Sequence, residues 1–140
     1  MSTPRTIDQV AVGDTFVDRR VVDDAAVRTF AAVSGDANPV HLDDAYAAST
    51  RFGRRIAHGA LLGAYVSKVL GMDLPGPGAI YLSQSMEFLA PVYVGDAVEV
   101  AVTVTERDVA TRNVTLACSV KTAAGEAARG VARVKLPKAG

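Results

Sequence analysis

Hydrophobic positions along the chain fall into two regimes. In the second half the pattern alternates: Val98, Val100, Val102 and Val104 form one run and Val114, Leu116, Cys118 and Val120 the next, with polar residues at flanking positions. A period of two marks strands that bury one face. The runs predict strands over 97–107, 113–122 and 127–136, and an earlier apolar stretch predicts one over 80–89. Segments 109–112 and 123–126 have the length of hairpin connections, so neighbouring strands are expected to pair antiparallel.

The first half follows a different period. After a strand over about 14–22, Asp23 or Asp24 is placed to cap a helix that carries Ala26, Val27, Phe30 and Val33 at spacings of three and four and stops at Ser34-Gly35. A short helix is expected near Asp43-Asp44. A third runs from about Gly59 to Leu70, where Leu61, Leu62, Ala64, Tyr65, Val66, Val69 and Leu70 cover most of the circumference. A helix apolar nearly all round has to be buried. The loop Leu74-Pro75-Gly76-Pro77-Gly78 joins the two halves. A sheet with one apolar face and a helix apolar on most sides satisfy each other if the sheet wraps the helix. The pattern therefore predicts one α+β domain over 1–140.

Composition narrows the partners. Fifteen basic and fifteen acidic side chains cancel, which leaves no overall field for nucleic acid or an anionic membrane. The single Cys118 lies on a strand and reads as a buried thiol, in keeping with a reducing compartment. The residues after Met1 lack the apolar core of a signal peptide, and the apolar stretch around 57–70 is too short and interrupted to span a bilayer. The expectation is a soluble, cytoplasmic protein.

Candidate chemistry concentrates where the first helix ends, in Ser34-Gly35-Asp36-Ala37-Asn38-Pro39-Val40-His41. Turn formation accounts for part of it: Gly35 suits a helix C-terminus, Asp36 and Asn38 suit an Asx turn, and Pro39 is expected to stop any continuation. It does not require His41. A carboxylate and an imidazole five residues apart across a proline-stiffened turn can both face one water, as acid–base addition of water to a double bond requires. The residues by themselves leave the catalytic and the turn-forming readings both open.

The segment Ser34-Gly35-Asp36-x-Asn38-Pro39-x-His41 followed by Ala47 resembles the signature of the MaoC-like (R)-specific enoyl-CoA hydratases. The resemblance continues through Ile56-Ala57-His58-Gly59-x-Leu61-Leu62, then 78–88, Pro91-Val92-Tyr93-Val94-Gly95-Asp96 and the closing Val134-Lys135-Leu136-Pro137. It implies the hot-dog fold, a long helix wrapped by an antiparallel sheet, and hydration of a trans-2-enoyl-CoA to the (R)-3-hydroxyacyl-CoA. Asp36 and His41 match the family's catalytic pair. Gly59, opening the buried helix, matches the backbone N–H that would stabilise the enolate oxygen. Asn38 would orient the Asp or His through its amide, although it serves equally as a turn former. Ser67 is a secondary candidate near the pair, its default being a hydroxyl bonded to the carbonyl four residues earlier. Val66 and Leu70 would line the acyl tail.

Other groups divide between chemistry and packing. Asp36, His41 and His58 could offer three metal ligands, but no close pair of histidines shares a helical face and His58 reads as a cap or loop-packing residue, so no metal is expected. Phosphate-binding glycine loops and a Gly-x-Ser-x-Gly elbow are absent, and no cofactor is implied. Arg51, Arg54 and Arg55 could meet the phosphates of CoA or form a solvated basic loop. Phe88 and Tyr81 read as core residues of their strand. The same fold also hosts acyl-CoA thioesterases and non-catalytic acyl-CoA-binding proteins, against which coexistence of Asp36 and His41 argues. The expected partners are an acyl-CoA or acyl carrier protein thioester and a second copy of the chain, because an antiparallel sheet exposes edges that commonly pair across a twofold axis.

Overall fold

The structure, a computed structural model, describes residues 4–138. Strand β1 (Thr15–Val21) leads into helix α1 (Asp24–Ser34), two short helices α2 (Pro39–Leu42) and α3 (Asp44–Ala48), and the long helix α4 (Gly59–Met72). Strands β2 (Ile80–Gln84), β3 (Glu87–Phe88), β4 (Ala97–Asp108), β5 (Asn113–Thr122) and β6 (Gly125–Lys135) complete the chain. They form an antiparallel sheet in the order β1-β4-β5-β6-β2, with β3 also paired to β6.

The alternating runs bury their apolar face: Val98, Val100, Val102, Val104, Val114, Leu116, Cys118 and Val120 all belong to the core. They enclose one side of α4, whose Leu61, Leu62, Tyr65, Val66, Val69 and Leu70 are buried with them. Ala64 and Ser67 lie on the exposed side of α4. The helix is thus held on one broad face rather than all round.

Local chemistry sets the boundaries in the first half. The Asp23 side chain accepts a hydrogen bond from Ala26 N at 2.8 Å and starts α1. Gly35 ends it at φ 81°, a left-handed conformation that glycine adopts without a Cβ penalty, and its N–H donates to Ala31 O. Val33, expected on the buried face of α1, is 80% exposed. Its place in the three-and-four spacing meets no neighbour from the sheet.

Two expectations about continuity need correction. Pro39 does not stop the chain from turning helical; it occupies the first turn of α2, where a missing N–H costs nothing and a fixed φ helps. The strand expected over 80–89 breaks between Gln84 and Glu87. Ser85 O approaches Gly130 so closely that a Cβ there would sit 1.8 Å away, while Ser85 N donates to Val131 O and Val131 N donates to Ser85 Oγ. The chain steps over β6 at Gly130, which has no side chain to resist it.

Candidate active site

The loop from α1 to α2 is built by short-range polar contacts. Ser34 Oγ donates to Phe30 O at 2.7 Å and accepts from Asp36 N at 3.1 Å. Asp36 Oδ1 in turn accepts from Asn38 N at 3.2 Å, and Asn38 Oδ1 accepts from Val40 N, capping α2. Asn38 therefore contacts the Asp36 carboxylate through its backbone N–H; its side-chain oxygen caps the helix, and among the described residues no hydrogen bond is made by its Nδ2. Asp36 itself is exposed.

His41 sits on α2 and is 9% exposed. Its Nδ1 lies 2.7 Å from Ile56 O. A carbonyl oxygen only accepts, so Nδ1 carries the proton and Nε2 of the neutral ring keeps a free lone pair. Burial holds the His41 pKa below the ordinary 6.5; the Ile56 bond opposes this, His58 adds to it and Asp36 opposes it. The net direction favours the neutral ring that a general base needs.

A carboxylate oxygen of Asp36 and a ring nitrogen from each of His41 and His58 lie within 4.8 Å of one another. One water making two hydrogen bonds of about 2.8 Å at a tetrahedral angle spans about 4.6 Å between its partners, a span within the 4.8 Å that bounds this cluster. The rings of His41 and His58 are stacked, with centroids 3.8 Å apart and planes 28° from parallel. His41 Nδ1 and His58 Nε2 each face a backbone carbonyl, so at most one nitrogen of each ring is free to ligate an ion.

Gly59 follows His58 and opens α4, so its N–H has no acceptor within the helix. It lines a cavity of about 510 Å³ together with Ala60, Leu62, Phe88, Leu89 and Val92. Asp36, His41 and His58 are not among the lining residues; Gly59, next in the chain to His58, is. Val66 and Leu70 do not line it either, and both are buried in the core. They do continue the stripe that Leu62 begins, at i+4 and i+8 on α4. Ser67 is exposed, and eight residues of helix place it about 12 Å along the axis from Gly59. Among the described residues no hydrogen bond joins it to Asp36 or His41.

The arginines and aromatics weighed in the sequence divide between structural ties and the cavity wall. Arg55 is buried, with its guanidinium on Asp24 Oδ1 at 2.6 and 2.8 Å and on Asp44 Oδ1 at 3.1 Å. It ties α1 and α3 to the segment carrying Ile56, and is not available to a phosphate. Arg54 stacks over Tyr93, whereas Arg51 stacks over Phe52 and does line the cavity. Phe88 is 57% exposed rather than core, with its ring over Gly59. Tyr81, on the edge strand β2, is exposed too. The apolar stretch that carries them looked like a core strand, but β2 lies at the edge of the sheet.

A helix embraced by one antiparallel sheet, with an Asp–His pair and a glycine N–H at the start of that helix, defines a hot-dog protein equipped for acid–base chemistry. The chain belongs to the MaoC-like family: the model of the MaoC like domain matches residues 7–125. It is 44% identical over 131 residues to the 3-hydroxybutyryl-CoA dehydratase of Methylorubrum extorquens, covering 94% of this chain and 83% of that protein. Identity to the (R)-specific enoyl-CoA hydratase of Rhodospirillum rubrum is 41% over 133 residues, covering 95% and 92%. The solved R-hydratase PhaJ1 from Pseudomonas aeruginosa superposes with a TM-score of 0.91 at 40% identity, covering 97% of this chain and 88% of that one.

Proposed function

We propose that this protein adds water across the double bond of a trans-2-enoyl thioester to give the (R)-3-hydroxyacyl product, and catalyses the reverse dehydration. The observation that carries this reading is the Asp36–His41 pair, whose carboxylate oxygen and ring nitrogen lie within 4.8 Å of each other, with Gly59 opening α4 directly after His58. The thioester carbonyl makes C3 electrophilic, and attack there places negative charge on the carbonyl oxygen, which the Gly59 N–H and the start of α4 stabilise. Water gives its oxygen to C3 and one proton to His41 Nε2, while the Asp36 carboxylate holds the other O–H. His41 returns the proton to C2 on the same face, so one molecule of water is added and the pair is restored.

The acyl tail enters the cavity along Ala60 and Leu62, and longer tails press on Val66 and then Leu70 along the same stripe of α4. Arg51 at the cavity wall faces the carrier, which is CoA or acyl carrier protein. The relatives named for CoA substrates support CoA.

A homodimer accompanies this reading. Strand β2 forms a sheet edge with no charged residue, and Ile80, Tyr81 and Leu82 are exposed on it. Such an edge pairs with a second copy unless something covers it. None of the helices among the described residues is long and apolar enough to cross a membrane, and a cytoplasmic location fits the buried, unpaired Cys118.

Ultraviolet loss of the enoyl chromophore of crotonyl-CoA, measured beside a free-thiol assay, tests the reaction. Chromophore loss without thiol release is expected; thiol release would make the protein a thioesterase. Sedimentation at micromolar concentration tests the assembly, and a fully active monomer would sink the dimer.

A further inference from the structure

His58 is one of two histidines in the chain and is buried more deeply than His41, at 1% exposure. The reaction proposed above does not use its ring. Its Nδ1 is buried without a partner, and an unsatisfied ring nitrogen is costly where an apolar side chain would pack without penalty. The ring must do something packing alone does not require.

Its contacts say what. Nε2 lies 2.9 Å from the backbone oxygen of Asp36, so the ring donates there and holds the loop at the residue bearing the carboxylate. One ring face stacks on His41 at 3.8 Å, and Phe30 of α1 meets the ring edge-on at 5.0 Å. The His58 carbonyl accepts from Leu61 N at 3.1 Å in the first turn of α4. A single residue thus touches the Asp36 backbone, the His41 ring and the helix start that presents the Gly59 N–H.

We propose that His58 is the positioning residue of the site, fixing the separation of Asp36 and His41 through its Nε2–H bond to the Asp36 carbonyl and its stack on His41. The proposal rests on the hydratase reading for its kinetic consequences but not for its tautomers. Both His58 nitrogens and both His41 nitrogens have defined states in this arrangement: His58 carries its proton on Nε2, and His41 on Nδ1. The titratable groups facing His41 are His58, across the stack, and Asp36.

Two substitutions separate the contacts. His58→Phe keeps an aromatic ring against His41 and removes the donor; His58→Gln keeps a donor at comparable reach and removes the ring. With crotonyl-CoA, His58→Phe is expected to lower kcat by about 10–100-fold, the scale of a small misplacement of reacting groups, with KM changed by less than about twofold. His58→Gln should recover part of that rate, while the acid limb of its kcat/KM profile moves to higher pH, because loss of the neighbouring ring hydrates His41 and removes a like charge beside it. Wild-type kcat in folded His58→Phe would overturn the proposal. Nitrogen-15 NMR of the two imidazoles in the wild-type protein at pH 7.5 gives a test that needs neither variant nor substrate. One ring protonated on Nδ1 and the other on Nε2 is expected, and two rings in the same tautomer would overturn the arrangement. Opposite tautomers in a protein that does not hydrate crotonyl-CoA would refute the hydratase reading while sustaining the hold of His58 on the pair.

Discussion

The sheet and the segment from Ser34 to Gly59 are held together by different physics. Strands β4, β5 and β6 bury Val100, Val102, Leu116, Val120 and Ala132 completely, and their order follows from apolar area removed from water. The segment 34–59 instead relies on polar tethers: Ser34 to Asp36, Asp36 to Asn38, His41 to Ile56, His58 to Asp36, and Arg55 to Asp24 and Asp44. Hydrophobic burial is non-directional and tolerates small shifts. Hydrogen bonds to chosen atoms fix distances, and a reaction that places one water between two groups needs distances. The sheet supplies stability and the loop supplies geometry, and each substitution below asks whether that division holds.

The largest effect is expected at Asp36. Asn keeps the size of Asp and an oxygen able to accept from Asn38 N, so Asp36→Asn spares the turn and removes only the ionisable group. Turnover should fall by about 10²–10⁴ with the melting temperature nearly unchanged. His41→Gln should behave alike. If both groups act on the same water, the double variant loses scarcely more than either single one. Additive losses, measured by steady-state kinetics on the folded variants, would mean the two residues act on different atoms.

Gly59→Pro comes next, because it removes a donor from the boundary between the two regions. Proline suits the first helical position, and His58 already has the extended backbone, φ −61° and ψ 135°, that a residue before proline requires. The fold should survive and turnover should fall by roughly 10²–10³. A new Cβ would meet the Phe88 ring at 2.8–2.9 Å, so Gly59→Ala is the matched control: it displaces the same ring end but retains the N–H. Equal losses in the two variants would assign the effect to Phe88 and not to the donor.

Legibility in the sequence follows the same division. Val98 to Val104 and Val114 to Val120 announced their strands because burial on one face writes a period of two into the chain. Asp23 and Gly35 announced the ends of α1 because capping needs particular side chains. The site was partly legible: the motif pointed to Asp36, His41 and Gly59, and the fold brings a carboxylate oxygen of Asp36 and a ring nitrogen of His41 within 4.8 Å. The tethers were not legible: a carbonyl such as Ile56 O or Asp36 O has no sequence signature, and the role of His58 depends on which ring it stacks against. Pro39 looked like a stop because its place within α2 depends on where the helix begins. The exposure of Tyr81, Leu82 and Phe88 was hidden because an apolar run at a sheet edge reads in the sequence as a buried strand does.

Leu70→Ala tests the division from the side of the core. Leu70 is buried beyond the cavity that Leu62 lines, and its truncation costs stability through the space left behind. If the tail follows the stripe from Leu62 through Val66, that space also lengthens the pocket. Relative kcat/KM should then shift toward longer enoyl chains by about 1–3 kcal/mol at most. A loss of melting temperature with an unchanged chain-length profile would leave Leu70 purely to the core and send the tail out past Phe88 and Leu89.

The smallest effect is the pH dependence of stability that His41 contributes. Its pKa is lowered in the folded protein, burial being the main cause, so below about 6.5 the unfolded chain binds a proton that the native state refuses. The stabilisation is fully present above 6.5 and is lost as pH falls from 6.5 toward the folded value, with a slope of at most about 1.4 kcal/mol per pH unit. Activity should follow the same proton: the acid limb of kcat/KM lies below 6.5, because the base form of His41 persists there. Urea unfolding of the wild-type protein and of His41→Gln, compared between pH 7.5 and 5 at one protein concentration, isolates the term, since other groups contribute to both proteins. The difference in unfolding free energy should shift against the wild type as pH falls. A difference that stays constant would mean that His41 titrates alike in the folded and unfolded chains, and that the loop exerts no electrostatic hold on the ring it positions.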